Sequence, residues 1–213
     1  MIVHNVAMEE WIRAKGYRGK IAMLQLFDFL VKPSQTKRNL SNSVVFAANL
    51  SKSSFLFQLD QPALRNINFN VYGKGFDEVK QWPQNVHYKG AFAPSEMPAI
   101  VEGSFGLLWN GDQLDQPGGS FARYLQYISP HKLSLYILAG LPILIPRFAG
   151  ASRFIEENCL GILIDSPADI ETAIKNLSAE DYRIICNNLA IWADWISKGE
   201  QLKRAVREVG EKW

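Results

Sequence analysis

The run Tyr124-Leu-Gln-Tyr127-Ile-Ser-Pro130-His131-Lys132-Leu-Ser134-Leu-Tyr136-Ile-Leu-Ala-Gly140-Leu-Pro142 places two cations in the first turn of a helix. Pro130 marks that start, because the first turn has no use for the N–H that proline lacks. His131 and Lys132 there oppose the helix dipole, at a typical surface cost of ~0.3–1 kcal/mol each. A bound diphosphate would offset that cost, since helix N-termini favour anions. Leu133, Tyr136, Ile137 and Gly140 follow helical spacing and read as packing positions.

A second candidate is Asn49-Leu-Ser51-Lys52-Ser53, between a strand and a helix pattern, where backbone N–H groups would converge with an ammonium on a phosphate. The same residues read equally well as an ordinary strand-to-helix turn with serine capping and an exposed lysine. Tyr72-Gly-Lys-Gly75 and Tyr88-Lys89-Gly90 each end a strand pattern, where ligands of open α/β sheets bind. An aromatic face for a base and an ammonium for a phosphate suit such a ligand. Surface lysines beside half-buried tyrosines fit each motif too. Trp109-Asn-Gly-Asp112 closes another strand and leads into a glycine-rich loop, in which Asp112 and Asp115 are either sugar-hydroxyl acceptors or solvated acids.

These residues must be positioned by the elements around them. Short apolar runs at 20–27, 43–49, 67–73, 85–90, 105–111, 141–146 and 160–165 alternate with helix candidates at 53–60, 95–103, 131–140, 152–159 and 169–177. That alternation predicts βα units and a parallel, Rossmann-like sheet flanked by helices. Ser178, with Asp181 after it, predicts the start of a long helix, and residues 196–213 form a charged amphipathic one. The organisation expected is an N-terminal piece at 1–32, a polar linker at 33–42, a nucleotide-binding domain at 43–195 and the C-terminal helix at 196–213.

Several function classes lose support at this level. There is no Walker GxxxxGK[ST], no GxGxxG after the first strand of the domain and no GxSxG elbow. The three histidines and two cysteines have no metal-ligand spacing, so no metal is expected. A net charge of +2 gives no broad footprint for nucleic acid. The N-terminus reads as neither leader nor membrane span, and the cysteine usage fits the cytoplasm.

The segments IVHNVAMEEWIRAKG, KIAMLQLFDFL, FAANLSKSSFL, FGLLWNGD, YLQYISPHKLSLYILAGLPILIP and SRFIEENCLGILIDSPADI resemble, collinearly over residues 2–175, the bacterial β-1,6-galactofuranosyltransferases and related glucosyltransferases of GT-B fold. The resemblance implies a C-terminal, donor-binding domain that holds a UDP-sugar and passes its hexosyl unit to a glycan or glycoprotein acceptor, with self-association into a homo-oligomer. By it, Asn49, Ser51, Lys52, Tyr72, Tyr88, Lys89, Asp112, Tyr127, Pro130 and Ser134 face the donor, and Lys132 with His131 stabilises the leaving diphosphate. It also implies that residues 1–32 are what this chain carries of the family's N-terminal, acceptor-side domain. Two departures bear on donor preference: Ala48 stands where the family commonly has glycine, and Ile128-Ser129 where it has asparagine. The rival expectation is a nucleotide-sugar-binding module or assembly partner without activity of its own.

Overall fold

The computed structural model describes residues 1–110, 112–114 and 123–210. The β-branched runs form strands β1 (Ile2–Val3), β2 (Ala22–Met23), β3 (Ser43–Ala47), β4 (Asn68–Tyr72), β5 (Val86–Gly90), β6 (Phe105–Leu107), β7 (Ile143–Pro146) and β8 (Gly161–Ile164). β1 and β2 pair in parallel as a small separate sheet. The other six form one all-parallel sheet in the order β5-β4-β3-β6-β7-β8. Such a sheet is buried on both faces. Alternation along β3 shows it: Val45 packs into one hydrophobic cluster, Val44 and Phe46 into the other.

Strand order reverses between β3 and β6, because the chain builds outward to β5 before crossing back. At such a switch point the connections leave in opposite directions and open a crevice beyond the carboxyl ends of the strands. The two strands pair only through Val44 with Phe105 and Val45 with Gly106. Beyond that register the Tyr136 hydroxyl stands between them, accepting the Ala47 N–H at 3.0 Å and donating to the Leu107 carbonyl at 3.0 Å. Gly106 leaves room for that ring, since a Cβ there would come 2.4 Å from Tyr136 Cγ. The apolar run at 105–111 therefore ends early as a strand, its last backbone groups meeting a side chain instead of a neighbour.

The helices are α1 (Val6–Ala14), α2 (Met97–Ile100), α3 (His131–Leu138), α4 (Ser152–Glu157), α5 (Ile170–Asn176), α6 (Ala179–Ser197) and α7 (Glu200–Gly210). The helix expected at 53–60 is instead two 3₁₀ turns, Leu50–Lys52 and Ser54–Gln58. Ser53 interrupts them at φ −128°, ψ 56°, its hydroxyl donating to the Asn49 carbonyl at 3.1 Å. Short 3₁₀ pieces satisfy their own backbone but carry no extended dipole. The 95–103 candidate shrinks to a single turn, extended again by Val101. The C-terminal pattern breaks at Gly199 (φ +75°), so α6 runs to Ser197 and α7 starts at Glu200.

Segment 33–42 has neither helix nor strand. It is nonetheless held, because Arg38 donates to the carbonyls of Ala139 (3.0 Å) and Val101 (2.9 Å). The two ends of the chain also meet: the Asp28 carboxylate caps α7 through the N–H groups of Gln201 (3.1 Å) and Leu202 (2.7 Å). Ala205 of α7 packs with Ala22 and Leu24 around β2.

Candidate functional site

α3 begins at the mouth of the crevice. Its N-cap is Pro130, in extended backbone and without a side-chain capping bond. A helix start without a side-chain cap leaves first-turn N–H donors for a ligand. From the next turn onward the helix is buried, so its position is fixed by core packing. His131 is exposed and stacks on Phe27, ring centroids 4.1 Å apart at 21°. Phe27 in turn meets His4 edge-on at 4.9 Å. Burial, with His131 adding to it, holds the His4 imidazole below its ordinary pKa, and its Nδ1 accepts the Ser129 N–H at 3.3 Å.

Lys132 points across the switch point. Its Nζ lies 3.3 Å from Asn110 Oδ1, just beyond β6, and 4.8 Å from the centroid of the Phe46 ring on β3. Among the described residues no carboxylate pairs with it. Burial pushes its pKa down to about 8 from the usual lysine value. A ring face and a neutral amide oxygen orient this cation without neutralising it.

The turn after β3 forms the facing wall. Asn49, Ser51 and Lys52 are all exposed there. Asn49 Oδ1 takes the Ser51 N–H at 3.2 Å and the Ser51 hydroxyl at 2.8 Å, so the turn satisfies itself in part. The α-helix dipole expected after this turn is missing, since only 3₁₀ turns follow. The turn after β4 lies against it. Leu50 N–H donates to the Lys74 carbonyl at 2.8 Å, and a Cβ on Gly73 (φ +133°) would come 1.8 Å from the Ala48 carbonyl oxygen. Two strand-end turns thus approach as closely as glycine permits.

The remaining expected residues separate into those at the crevice and those away from it. Asp112 folds back from the β6 end, its carboxylate accepting the Ser54 hydroxyl at 3.0 Å and its carbonyl accepting Gln58 Nε2 at 3.0 Å. Asp115 lies outside the described residues. Tyr127 is exposed before α3, with its ring 6.4 Å from that of Trp11. Ser134 is fully buried and donates to the Phe27 carbonyl at 2.6 Å, so it locks α3 to the N-terminal segment and does not open on the crevice. Tyr72 is 1% exposed, its hydroxyl accepting the Glu102 N–H at 2.9 Å, which leaves no face for a base. Tyr88 stacks on Phe76 at 4.1 Å and 3°, and Lys89 pairs with Glu102 at 3.0 Å, both on the outermost strand. Sequence reasoning missed Asn110, Phe46 and the Tyr136 hydroxyl as parts of the crevice; Asn110 stood in the WNGD run and Tyr136 in the run that opens with Tyr124, but only as a strand end and a packing position.

A cavity of about 730 Å³ lies elsewhere, lined by residues 33–39, Gly140 and residues of α6, without Lys132.

The architecture agrees with what the chain resembles. The family model for the Glucosyltransferase 3-like, C-terminal domain matches residues 44–209. The chain is 29% identical over 216 residues to the β-1,6-galactofuranosyltransferase WbbI of Escherichia coli K12, covering 98% of this chain and 62% of that protein. It is 25% identical over 215 residues to glucosyltransferase 3 of Streptococcus parasanguinis, covering 88% of this chain and 62% of that one. The chain therefore spans about three-fifths of the length of these curated relatives. Among solved structures, TarM superposes with a TM-score of 0.63 at 17% identity, covering 100% of this chain and 42% of TarM. Anabaena HepE in complex with UDP gives 0.61 at 16%, covering 99% of this chain and 62% of HepE. At those identities the likeness is one of fold, the Rossmann-like half of a GT-B architecture.

Proposed function

The chain belongs to the Glucosyltransferase 3-like, C-terminal domain family, and from that premise we propose that it is the donor half of a hexosyltransferase, binding a UDP-sugar in the β3/β6 crevice. The unit transferred is galactofuranosyl or glucosyl, as the names of the relatives have it, and the acceptor is a glycan or glycoprotein. One observation carries the reading: Lys132 is a partly desolvated cation without a carboxylate partner among the described residues, held over the switch point of a parallel sheet. Such a group gains most from an anion that displaces water and restores its lost charge stabilisation.

In this mechanism an acceptor hydroxyl attacks the anomeric carbon while the bond to the diphosphate breaks. The negative charge that develops on the leaving oxygen is met by Lys132, by His131 and by the first-turn N–H groups of α3, with Lys52 facing them across the crevice. Donors already in place at the departing charge are typically worth ~10²–10³ in rate each. The reading assigns charge neutralisation to these groups rather than to a metal ion. The free thiols of Cys159 and Cys186 fit a reducing compartment, the cytoplasm.

Calorimetry of the chain with UDP, with GDP as control, tests the proposal. Micromolar binding selective for uridine and lost in Lys132→Ala is the expected result. Equal binding by the variant overturns the assignment of Lys132. Transfer to an acceptor by the chain itself separates an enzyme from the binding module that is its rival.

A further inference from the structure

The loop that enters α3 faces two ways. Lys132 at its end turns to β3 and β6, whereas Tyr127 near its start turns to α1, where its ring meets Trp11 at 6.4 Å and 57°. Between α1, Tyr127 and the turn after β7 lies a cavity of about 540 Å³, within the size range of small-molecule sites. Its walls combine flat aromatic surface with polar groups of both kinds. Trp11 is 51% exposed and Tyr127 36%, although large aromatic rings usually bury their faces. Ala7 and Trp11, like Val6 and Glu10, are i,i+4 pairs, so one face of α1 supplies a whole wall. Glu10 offers carboxylate acceptors, and Gln126 and Arg153 offer donors. The pairing of Arg153 Nε with Glu157 at 2.7 Å occupies only one of the five guanidinium donors. Gly150 forms part of the lining, where a Cβ would come within 2.1 Å of the Gln126 carbonyl oxygen.

Flat rings beside mixed donors and acceptors match one ligand chemistry well: a pyranose, which presents C–H groups on its faces and hydroxyls around its rim. We propose that this pocket is the subsite for a hexose ring of the acceptor glycan, with Trp11 and Tyr127 as its stacking platform and Glu10 and Arg153 as hydroxyl partners. This rests on the donor reading of the β3/β6 crevice. The loop 127–132 then joins the two substrates, presenting one ring to the acceptor sugar and one ammonium to the diphosphate.

Saturation-transfer NMR on the chain, with methyl β-D-glucopyranoside and methyl β-D-galactopyranoside as probes, tests it. The wild-type chain should transfer saturation to the ring C–H protons of at least one glycoside. Trp11→Ala and Tyr127→Ala should each reduce that transfer at least fivefold, Trp11→Phe should restore most of it, and UDP affinity by calorimetry should not change in either Trp11 variant. Lys132→Ala should do the reverse, losing UDP and keeping the glycoside. No transfer in the wild-type chain, or transfer unchanged in both alanine variants, overturns the subsite. So does displacement of the glycoside by UDP-glucose but not by UDP, which would make the ring the donor's own. Glycoside transfer without UDP binding would instead sink the donor reading and leave the sugar subsite standing. Because Trp11 and Tyr127 are exposed, their variants should keep the fold, which the unchanged UDP titration verifies for the Trp11 variants and an unchanged Tm for Tyr127→Ala.

Discussion

Lys89 lies near the carboxyl end of β5, and Lys132, in the first turn of α3, reaches the carboxyl ends of β3 and β6; the chain treats the two in opposite ways. Lys89, on the outermost strand β5, reaches Glu102 at 3.0 Å; the pair is solvent-facing, with side chains 35% and 70% exposed, and the hydrogen bond that the lysine donates to Glu102 raises its pKa. Lys132, at the central switch point, meets an amide oxygen and an aromatic face, and burial lowers its pKa to about 8. One cation is already satisfied; the other has lost water and meets no carboxylate among the described residues. Proximity to strand ends is therefore not what marks a ligand site in this sheet. An unmet electrostatic demand, placed where the strand order reverses, is the better marker.

The sharpest way to break this contrast is to remove what opens the crevice. Tyr136→Phe deletes the hydroxyl that satisfies the Ala47 N–H and the Leu107 carbonyl, leaving two buried backbone groups without partners. At ~1–3 kcal/mol for each unsatisfied group, the variant should lose roughly 2–6 kcal/mol of stability. For a chain of this size that lowers Tm by roughly 5–20 °C, measurable by calorimetry or circular dichroism. A Tm within a degree of wild type would mean that β3 and β6 close on each other without the hydroxyl. Next in size, Lys132→Ala should weaken UDP binding by about 10–100-fold, the worth of one charge-assisted contact.

How much of this was legible beforehand follows from which facts are local. The seven apolar runs mark strands β2 to β8, and the Pro130 start of α3 was readable because proline and first-turn chemistry act within a few residues. Strand order is not local. Tyr88-Lys89 and Asn49-Lys52 look alike as strand-end motifs, yet the crossovers put one at the rim and the other at the switch point. Ser134 and Tyr136 fall on a helical apolar spacing that says nothing about where their hydroxyls point; tertiary contacts with Phe27, Ala47 and Leu107 decide that. The turn after β3 promised a helix dipole, and Ser53 ended that promise by bonding back to the Asn49 carbonyl.

The pKa of Lys132 gives a pH test of the same contrast. Its folded value is depressed, so the unliganded chain sheds this proton above about pH 8, while the unfolded chain holds it to the ordinary lysine value. Below pH 8 both states are charged and the desolvation penalty is fully present; it is relieved as pH rises from there toward the unfolded value, and stability from this group rises with it. Anion binding runs the other way, because the diphosphate needs the ammonium. UDP affinity should fall by about tenfold from pH 7 to 9.5, and Lys132→Arg should flatten the curve, since arginine keeps its proton throughout. A flat wild-type profile would show that Lys132 titrates like an exposed lysine.

The smallest effect is the one that tests Lys89. An exposed ion pair is worth about 0–1 kcal/mol, so Lys89→Ala, Glu102→Gln and the double variant should each change stability by no more than that. UDP affinity should stay within about twofold of wild type in all three, far from the loss at Lys132. The double-mutant cycle separates the pair from any other role, because replacing a lysine that serves only Glu102 has no further effect once Glu102 is gone. If Lys89→Ala weakened UDP binding tenfold while Glu102→Gln did not, Lys89 would be reaching the nucleotide directly. The outer strand would then share in the donor site, and the distinction between an unmet and a satisfied lysine would fail for this fold.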